Sequence, residues 1–340
     1  MKIEVLVLML VGVWALSEEL PTYRVNLDDP PETRWLHIFP LYIEPLKEFF
    51  ELSLLGRTRA EAKTLAFMIE RAGIIDDDTK GELQSLAEAT EVDYDIVLVS
   101  HFWYENVHRC LSTLVKQPDG SILHVRNMDG THYPCYNQLA SYVEFYRDDE
   151  LVYKASMQIG TFVLHNAVKP GKYAVTLNHR DPRQSLLWTL AGGKEAASAL
   201  RRAVETYDSF DDLVDYIHQE AWAQDGYFII SSADGRGVVL TTLNHGAVDT
   251  EPMTDWYLIQ VLTDHWKPEQ TPHGDRKKAV ASGLEAYGEG HVGPEEAWMV
   301  FSTPPVIIDD TVWTSMMNAK HGWIHVKTRN NGLDSDDILP

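Results

Sequence analysis

Hydrophobic positions along this chain follow two periods in succession. Between Thr58 and Gly73, residues Ala62, Leu65, Ala66, Ile69 and Ala72 recur three or four apart, the spacing of one helix face, and Gly73 reads as a C-cap. A second helix is predicted from about Asp78 or Thr79 through Leu83, Leu86 and Ala87, and a third apolar segment covers 96–104. From Cys110 onward, short and often alternating runs at 111–115, 122–125, 139–145, 151–154, 173–177, 227–231 and 237–243 read as strands. Pro118-Asp119-Gly120 and Asp234-Gly235 each mark a hairpin turn. Helices interrupt at about 195–206 and 209–220, where Ser209 is a suitable N-cap, and Pro30-Pro31 marks an extended entry. Blocks of helices beside runs of antiparallel strands predict an α+β layer fold.

The first 17 residues stand apart. Lys2 precedes an apolar run over 5–16, and Ala15-Leu16-Ser17 supplies small residues at the positions a signal peptidase reads. The expectation is a signal peptide over 1–17, with a run too short to span a bilayer comfortably. The chain should then mature as a soluble, lumenal or extracellular protein. Its 340 residues, 44% of them hydrophobic, suffice for one large or two small cores.

Charge narrows the partners. The formal net charge of −22 is unchanged by loss of the leader, because Lys2 and Glu4 cancel. It argues against nucleic-acid binding, which needs a basic stripe, and against docking on anionic membranes at neutral pH. In an acidic compartment carboxylates protonate near about pH 4 and the 14 histidines charge, so repulsion shrinks. No Asn-x-Ser/Thr sequon is present. Two cysteines without paired histidines, and no Gly-x-Gly-x-x-Gly or P-loop, give no sign of a metal or organic cofactor.

Candidate chemistry centres on Cys110, sixteen residues before Arg126-Asn127-Met128-Asp129. A hairpin over this stretch places the thiol beside an arginine, an amide and a carboxylate, company that favours thiolate and can orient a proton acceptor. Plainer readings are a buried structural thiol, a disulfide with Cys135, and a buried Arg126–Asp129 ion pair. On its own Arg276 reads as a solvated charge at a helix start.

The order Cys110-x-Ser112, Arg126-Asn127-Met128-Asp129, Asp264-His265-Trp266-Lys267-Pro268, Gly274-Asp275-Arg276-Lys277 and Thr311-Val312-Trp313-Thr314-Ser315-Met316-Met317 resembles the acid ceramidase and N-acylethanolamine acid amidase family of N-terminal-nucleophile hydrolases. Pro31-Glu32-Thr33-Arg34-Trp35, Gly81-Glu82-Leu83 and Pro305-Val306 extend the likeness over nearly the whole chain from about residue 25. The resemblance implies a four-layer αββα sandwich with a helical N-terminal segment. It implies a helical α-subunit over 18–109, a catalytic β-subunit over 110–340, and self-cleavage between Arg109 and Cys110. It further implies hydrolysis of a fatty-acid amide by Cys110, with Arg126, Asp129 and Arg276 in the active centre and no cofactor. The expected partners are a lipid amide, the α and β chains of one precursor, and a membrane or micelle in transient contact, in a lysosomal or secreted location. The Asp-His-Trp-Lys-Pro wording and the scarcity of cysteines lean toward the N-acylethanolamine branch. Trp103, Tyr104, Phe162, Trp188 and Trp313 are candidate walls of an acyl channel.

Two positions depart from the pattern. Leu262 stands where relatives place an asparagine that donates to the oxyanion, and His179 where they place a glutamate that helps arrange self-cleavage. A histidine there is expected to bring positive charge at acidic pH. Either Asn178 and backbone N–H groups compensate, or the chain is a weakened or inactive lipid-amide-binding relative. Asn127 is a possible supporting residue.

Overall fold

The computed structural model describes residues 20–54, 56–102, 110–130, 134–181, 193–223, 225–243, 248–267 and 273–329. The leader, Arg109, Trp103, Tyr104 and Trp188 lie outside the described residues. Two sheets dominate. The larger runs β1 (Thr22–Asn26), β4 (Ala140–Arg147), β5 (Glu150–Gln158), β6 (Asn166–Lys169), β7 (Tyr173–Asp181), β8 (Asp225–Ser232), β9 (Gly237–Thr242) and β10 (Val248–Pro252) in spatial order. The smaller runs β11 (Tyr257–Gln260), β2 (Leu111–Lys116), β3 (Ile122–Asp129), β12 (Thr311–Asn318) and β13 (Trp323–Thr328).

The sheets pack face to face, β2 and β3 against β7 and β8. Helices α6 (Ala196–Thr206) and α7 (Phe210–Gln219) cover the larger sheet, and α8 (His273–Tyr287) and α9 (Pro294–Phe301) cover the smaller. The result is the four-layer αββα sandwich. Leu114, Ile122, Tyr227, Ile229 and Val239 fill the space between the sheets, whereas Leu111, Val115, Leu123 and Val125 meet Val280, Leu284, Trp298 and Phe301 under the helices. Because strand side chains alternate faces, β2 and β3 feed both cores with every second residue.

The segment before Cys110 carries α1 (Ile43–Ser53), α2 (Arg59–Ala72), α3 (Asp77–Thr90) and α4 (Tyr94–His101), and the short α5 (Pro134–Gln138) lies between β3 and β4. Thr58 and Glu61 form a capping box on α2, and Gly73 ends it at φ 63°, a left-handed conformation that costs glycine little. Helix α3 starts earlier than the apolar spacing indicates, because the Asp76 side chain accepts the Thr79 amide at 2.8 Å. Pro30-Pro31 opens turns rather than extended chain: the amides of Thr33 and Arg34 both donate to the Pro30 carbonyl, which proline leaves free to accept. The segment is also not wholly helical, since β1 pairs in parallel with β4.

A buried charge knot fastens this segment to the rest. Glu82 is fully buried and accepts from both terminal nitrogens of Arg201 on α6, from Trp35 Nε1 at 2.9 Å and from Arg34 at 3.4 Å. Arg201 also meets Glu205 at 3.0 Å. Two carboxylates around one guanidinium satisfy its planar fork, and their charge raises its pKa against the opposing effect of burial.

Candidate active site

The hairpin that carries the site forms as the turn residues dictate. Gly120, at φ 79°, donates to the Gln117 carbonyl at 2.9 Å, and Asp119 accepts from the amide and hydroxyl of Ser121. Register then follows: Ser112 opposes Arg126 and Leu111 opposes Asn127. Cys110 stands just ahead of β2 and is buried. Arg126 extends between the sheets, donating through Nη2 to Cys110 Sγ at 3.0 Å and to the Leu177 carbonyl at 2.8 Å, and through Nη1 to the His165 carbonyl. Met128 Sδ lies 3.6 Å from the thiol.

The amide and the carboxylate of the motif point the other way. Asn127 and Asp129 occupy the opposite face of β3, as period-two alternation requires of positions one and three beyond Arg126. Asp129 pairs with Arg276 Nη1 at 2.7 Å and accepts from Thr311 Oγ1 at 2.7 Å. Asn127 donates to the carbonyls of Phe301 and Val306 and accepts from Thr314, and Arg276 donates to the same Val306 carbonyl at 2.7 Å. The carboxylate therefore pairs across the helix layer. Burial raises the Asp129 pKa, with Arg276 and Thr311 pulling it back. Arg276 corrects the expectation of a solvated charge: it lies in the first turn of α8 but is only 4% exposed. Gly130 follows because a Cβ there would stand 2.9 Å from Val312 and 3.0 Å from Tyr136.

Cys110 and Cys135 are both free thiols, so no disulfide joins them. Burial pushes the Cys135 thiol up to about 12, which makes it inert. His179, on β7, is 3% exposed, and burial together with Arg126 lowers its pKa to about 4. It thus stays neutral in mild acid, contrary to the charge expected of an exposed histidine. Leu262 is partly buried two residues after β11 and offers no donor. The nearby loop is held firmly: Asp264 binds Arg180 in bidentate fashion, accepts from Tyr227 at 2.8 Å and pairs with Lys267 at 2.7 Å. His265 lies 3.3 Å from both Asp249 and Glu251.

Asn178, on β7, faces the thiol strand from the larger sheet. It is fully buried, its Oδ1 accepts from Ser112 Oγ at 3.0 Å, and among the described residues its Nδ2 makes one long bond, 3.5 Å, to the Gln260 carbonyl. Sequence reasoning left Ser112 and His124 out of the site. Alternation could have found them, since Ser112 shares a strand face with Cys110 and His124 with Arg126. Phe162 and Trp313 are fully enclosed, Phe162 packing on Trp35 with ring centroids 5.4 Å apart.

With this geometry in view, comparison with known proteins is specific. The family model for the beta subunit of N-acylethanolamine-hydrolyzing acid amidase matches residues 18–53. The N-acylethanolamine-hydrolyzing acid amidase of Mus musculus is 24% identical over 330 residues, covering 92% of this chain and 91% of that protein. The acid ceramidase of Heterocephalus glaber is 24% identical over 333 residues, covering 88% of this chain and 83% of that protein. A solved N-acylethanolamine-hydrolyzing acid amidase ortholog of Caenorhabditis elegans superposes with a TM-score of 0.56 at 21% identity, over 68% of this chain and 100% of that one, and shares the fold.

Proposed function

Since the chain belongs to the acid ceramidase and N-acylethanolamine acid amidase family, an assignment its relatives carry along most of their length, we propose that it hydrolyses the amide bond of a fatty-acid amide with Cys110 as nucleophile. The observation that carries this reading is the Cys110 thiol 3.0 Å from the Arg126 guanidinium at the head of a strand. The guanidinium at that distance holds the sulfur in a fixed position beside the strand. Cutting between Arg109 and Cys110 frees an α-amine of pKa about 8 on the residue that bears the thiol. The amine takes the thiol proton as sulfur attacks the substrate carbonyl. The C–N bond then breaks, the leaving amine recovers the proton, and water hydrolyses the thioester to release fatty acid and thiol.

Asn178 serves as the oxyanion donor in place of position 262. Its buried Nδ2 makes one long bond among the described residues, to the carbonyl of Gln260, which pairs with Ser112 two residues from the nucleophile, so it keeps donor capacity to spare. Asp129, anchored by Arg276, holds the β3 end next to Cys110, where it can receive the new ammonium. Residues 18–109 and the body after Cys110 form the α and β chains, held together by β1 and by Glu82 with Arg201. The 1–17 leader and a lysosomal or secreted address complete the reading. Phe67, 64% exposed on α2, offers apolar surface for transient contact with a micelle.

Intact mass after incubation at about pH 4.5 tests the proposal. The expected result is two fragments, one beginning at Cys110, with palmitoylethanolamide hydrolysed and Cys110→Ala uncut. An uncut wild-type chain without turnover would overturn it. Saturable binding of the amide in that case would identify a lipid-binding relative weakened at Leu262.

A further inference from the structure

Asn178 ends a chain of polar side chains that crosses the space between the sheets. His124 Nε2 lies 3.0 Å from Thr176 Oγ1, Thr176 Oγ1 lies 2.9 Å from Ser112 Oγ, and Ser112 Oγ lies 3.0 Å from Asn178 Oδ1. At the far end Ser231 Oγ is 3.2 Å from His124 Nδ1. All five side chains are fully buried. In such surroundings each link must be made, and a chain of this kind has a direction because a hydroxyl carries one proton.

The direction can be read from its end. The Gln260 carbonyl beside Asn178 can only accept, so the amide atom facing it is the NH2 and the atom facing Ser112 is the oxygen. Ser112 then gives its proton to that oxygen and accepts from Thr176. Thr176, its own proton committed, must accept from His124, which therefore carries its proton on Nε2 and accepts from Ser231 on Nδ1. Burial next to Arg126 keeps the ring neutral down to about pH 3, so this single tautomer persists through mild acid. With the proton on Nδ1 instead, both hydroxyls could reverse and Asn178 would turn its oxygen toward the Gln260 oxygen.

We infer that His124, Thr176 and Ser112 are positioning residues that fix the orientation of the Asn178 amide and so aim its NH2 at the carbonyl attacked by Cys110. The inference rests on the proposed role of Asn178 in amide hydrolysis. It assigns a function to three fully buried residues through the proton order of the chain they form.

Thr176→Val, nearly isosteric but without a hydroxyl, tests it, with Thr176→Ser as the conservative variant and Ser112→Ala cutting the chain one link nearer Asn178. Thr176→Val is expected to lower kcat on palmitoylethanolamide about tenfold with KM unchanged, less than outright loss of an oxyanion donor, and Thr176→Ser to restore most of it. In a Ser112→Ala background Thr176→Val should cause no further loss, because both cut one chain. The side-chain amide resonance of Asn178 in a 1H–15N spectrum should move in Thr176→Val and stay in place in Thr176→Ser. The inference is overturned if Asn178→Ala lowers kcat while Thr176→Val and Ser112→Ala remain within about twofold of wild type and the Asn178 resonance does not move. A wild-type protein without turnover would defeat the proposed function instead. The resonance would then still decide the chain: moved in Thr176→Val supports it, unmoved overturns it. Should Thr176→Val fail to fold, Ser112→Ala carries the same expectations.

Discussion

The two faces of β3 do different work from one four-residue motif. On the inner face Arg126 reaches the Cys110 thiol and the carbonyls of β7 and of His165, and His124 directs the chain toward Asn178. On the outer face Asn127 and Asp129 bind carbonyls, Thr311, Thr314 and Arg276, which ties the strand to α8 and to the loop after α9. The difference shows how a short run such as Arg126-Asn127-Met128-Asp129 can hold a thiol-bound arginine and strand-anchoring groups apart. The alternation of a strand separates the arginine from the carboxylate that would otherwise pair with it.

Several changes would break or sharpen that division. On the inner face, Arg126→Met should reduce kcat by about 10²–10³-fold, the scale of losing one preorganised electrostatic donor, as steady-state kinetics will show. On the outer face, Arg276→Met leaves the Asp129 carboxylate buried without its guanidinium and should lower unfolding free energy by about 3–5 kcal/mol in urea titration. A fall in activity without loss of stability would mean that Arg276 acts in the chemistry and not as an anchor. Asn127→Ala on the same face should cost about 1–3 kcal/mol, because the carbonyls of Phe301 and Val306 lose a donor.

Acid is expected to weaken the frame more than the site. His101 is buried against Ser198 with its pKa lowered to about 3, first by burial and then by Arg201. A histidine whose folded pKa is depressed contributes stability that is present above its unfolded value of about 6.5 and is lost as pH falls toward the folded value. At about pH 4.5 the loss for His101 is about 2–3 kcal/mol, so His101→Phe should flatten the decline in stability between about pH 6.5 and 4.5. An unchanged slope in chemical denaturation would show that His101 titrates normally.

Much of this was legible in the chain. Apolar spacing located α2 and α7, whose Gly73 C-cap and Ser209 N-cap form as predicted. The Pro118-Asp119-Gly120 turn announced the hairpin that sets the register of Cys110 and Arg126. Strand β12 escaped because all eight of its residues are buried, so no alternation marks it. Strand β1 escaped because it is short and half exposed, and depends on pairing with β4, far along the chain.

Residue type, order and period determined by themselves that this chain forms an α+β layer fold, that Cys110 heads a strand-like run, and that this run folds back as a hairpin toward Arg126. Those are local properties, set by hydrogen-bonding geometry and by side chains that repeat every two or 3.6 residues. Tertiary structure alone decided that Asp129 answers to Arg276, that His179 stays neutral in mild acid, and that Asn178 comes to face the thiol strand. Each of these depends on which groups share a desolvated space, and burial and partner distance are properties of the packed layers rather than of any stretch of sequence.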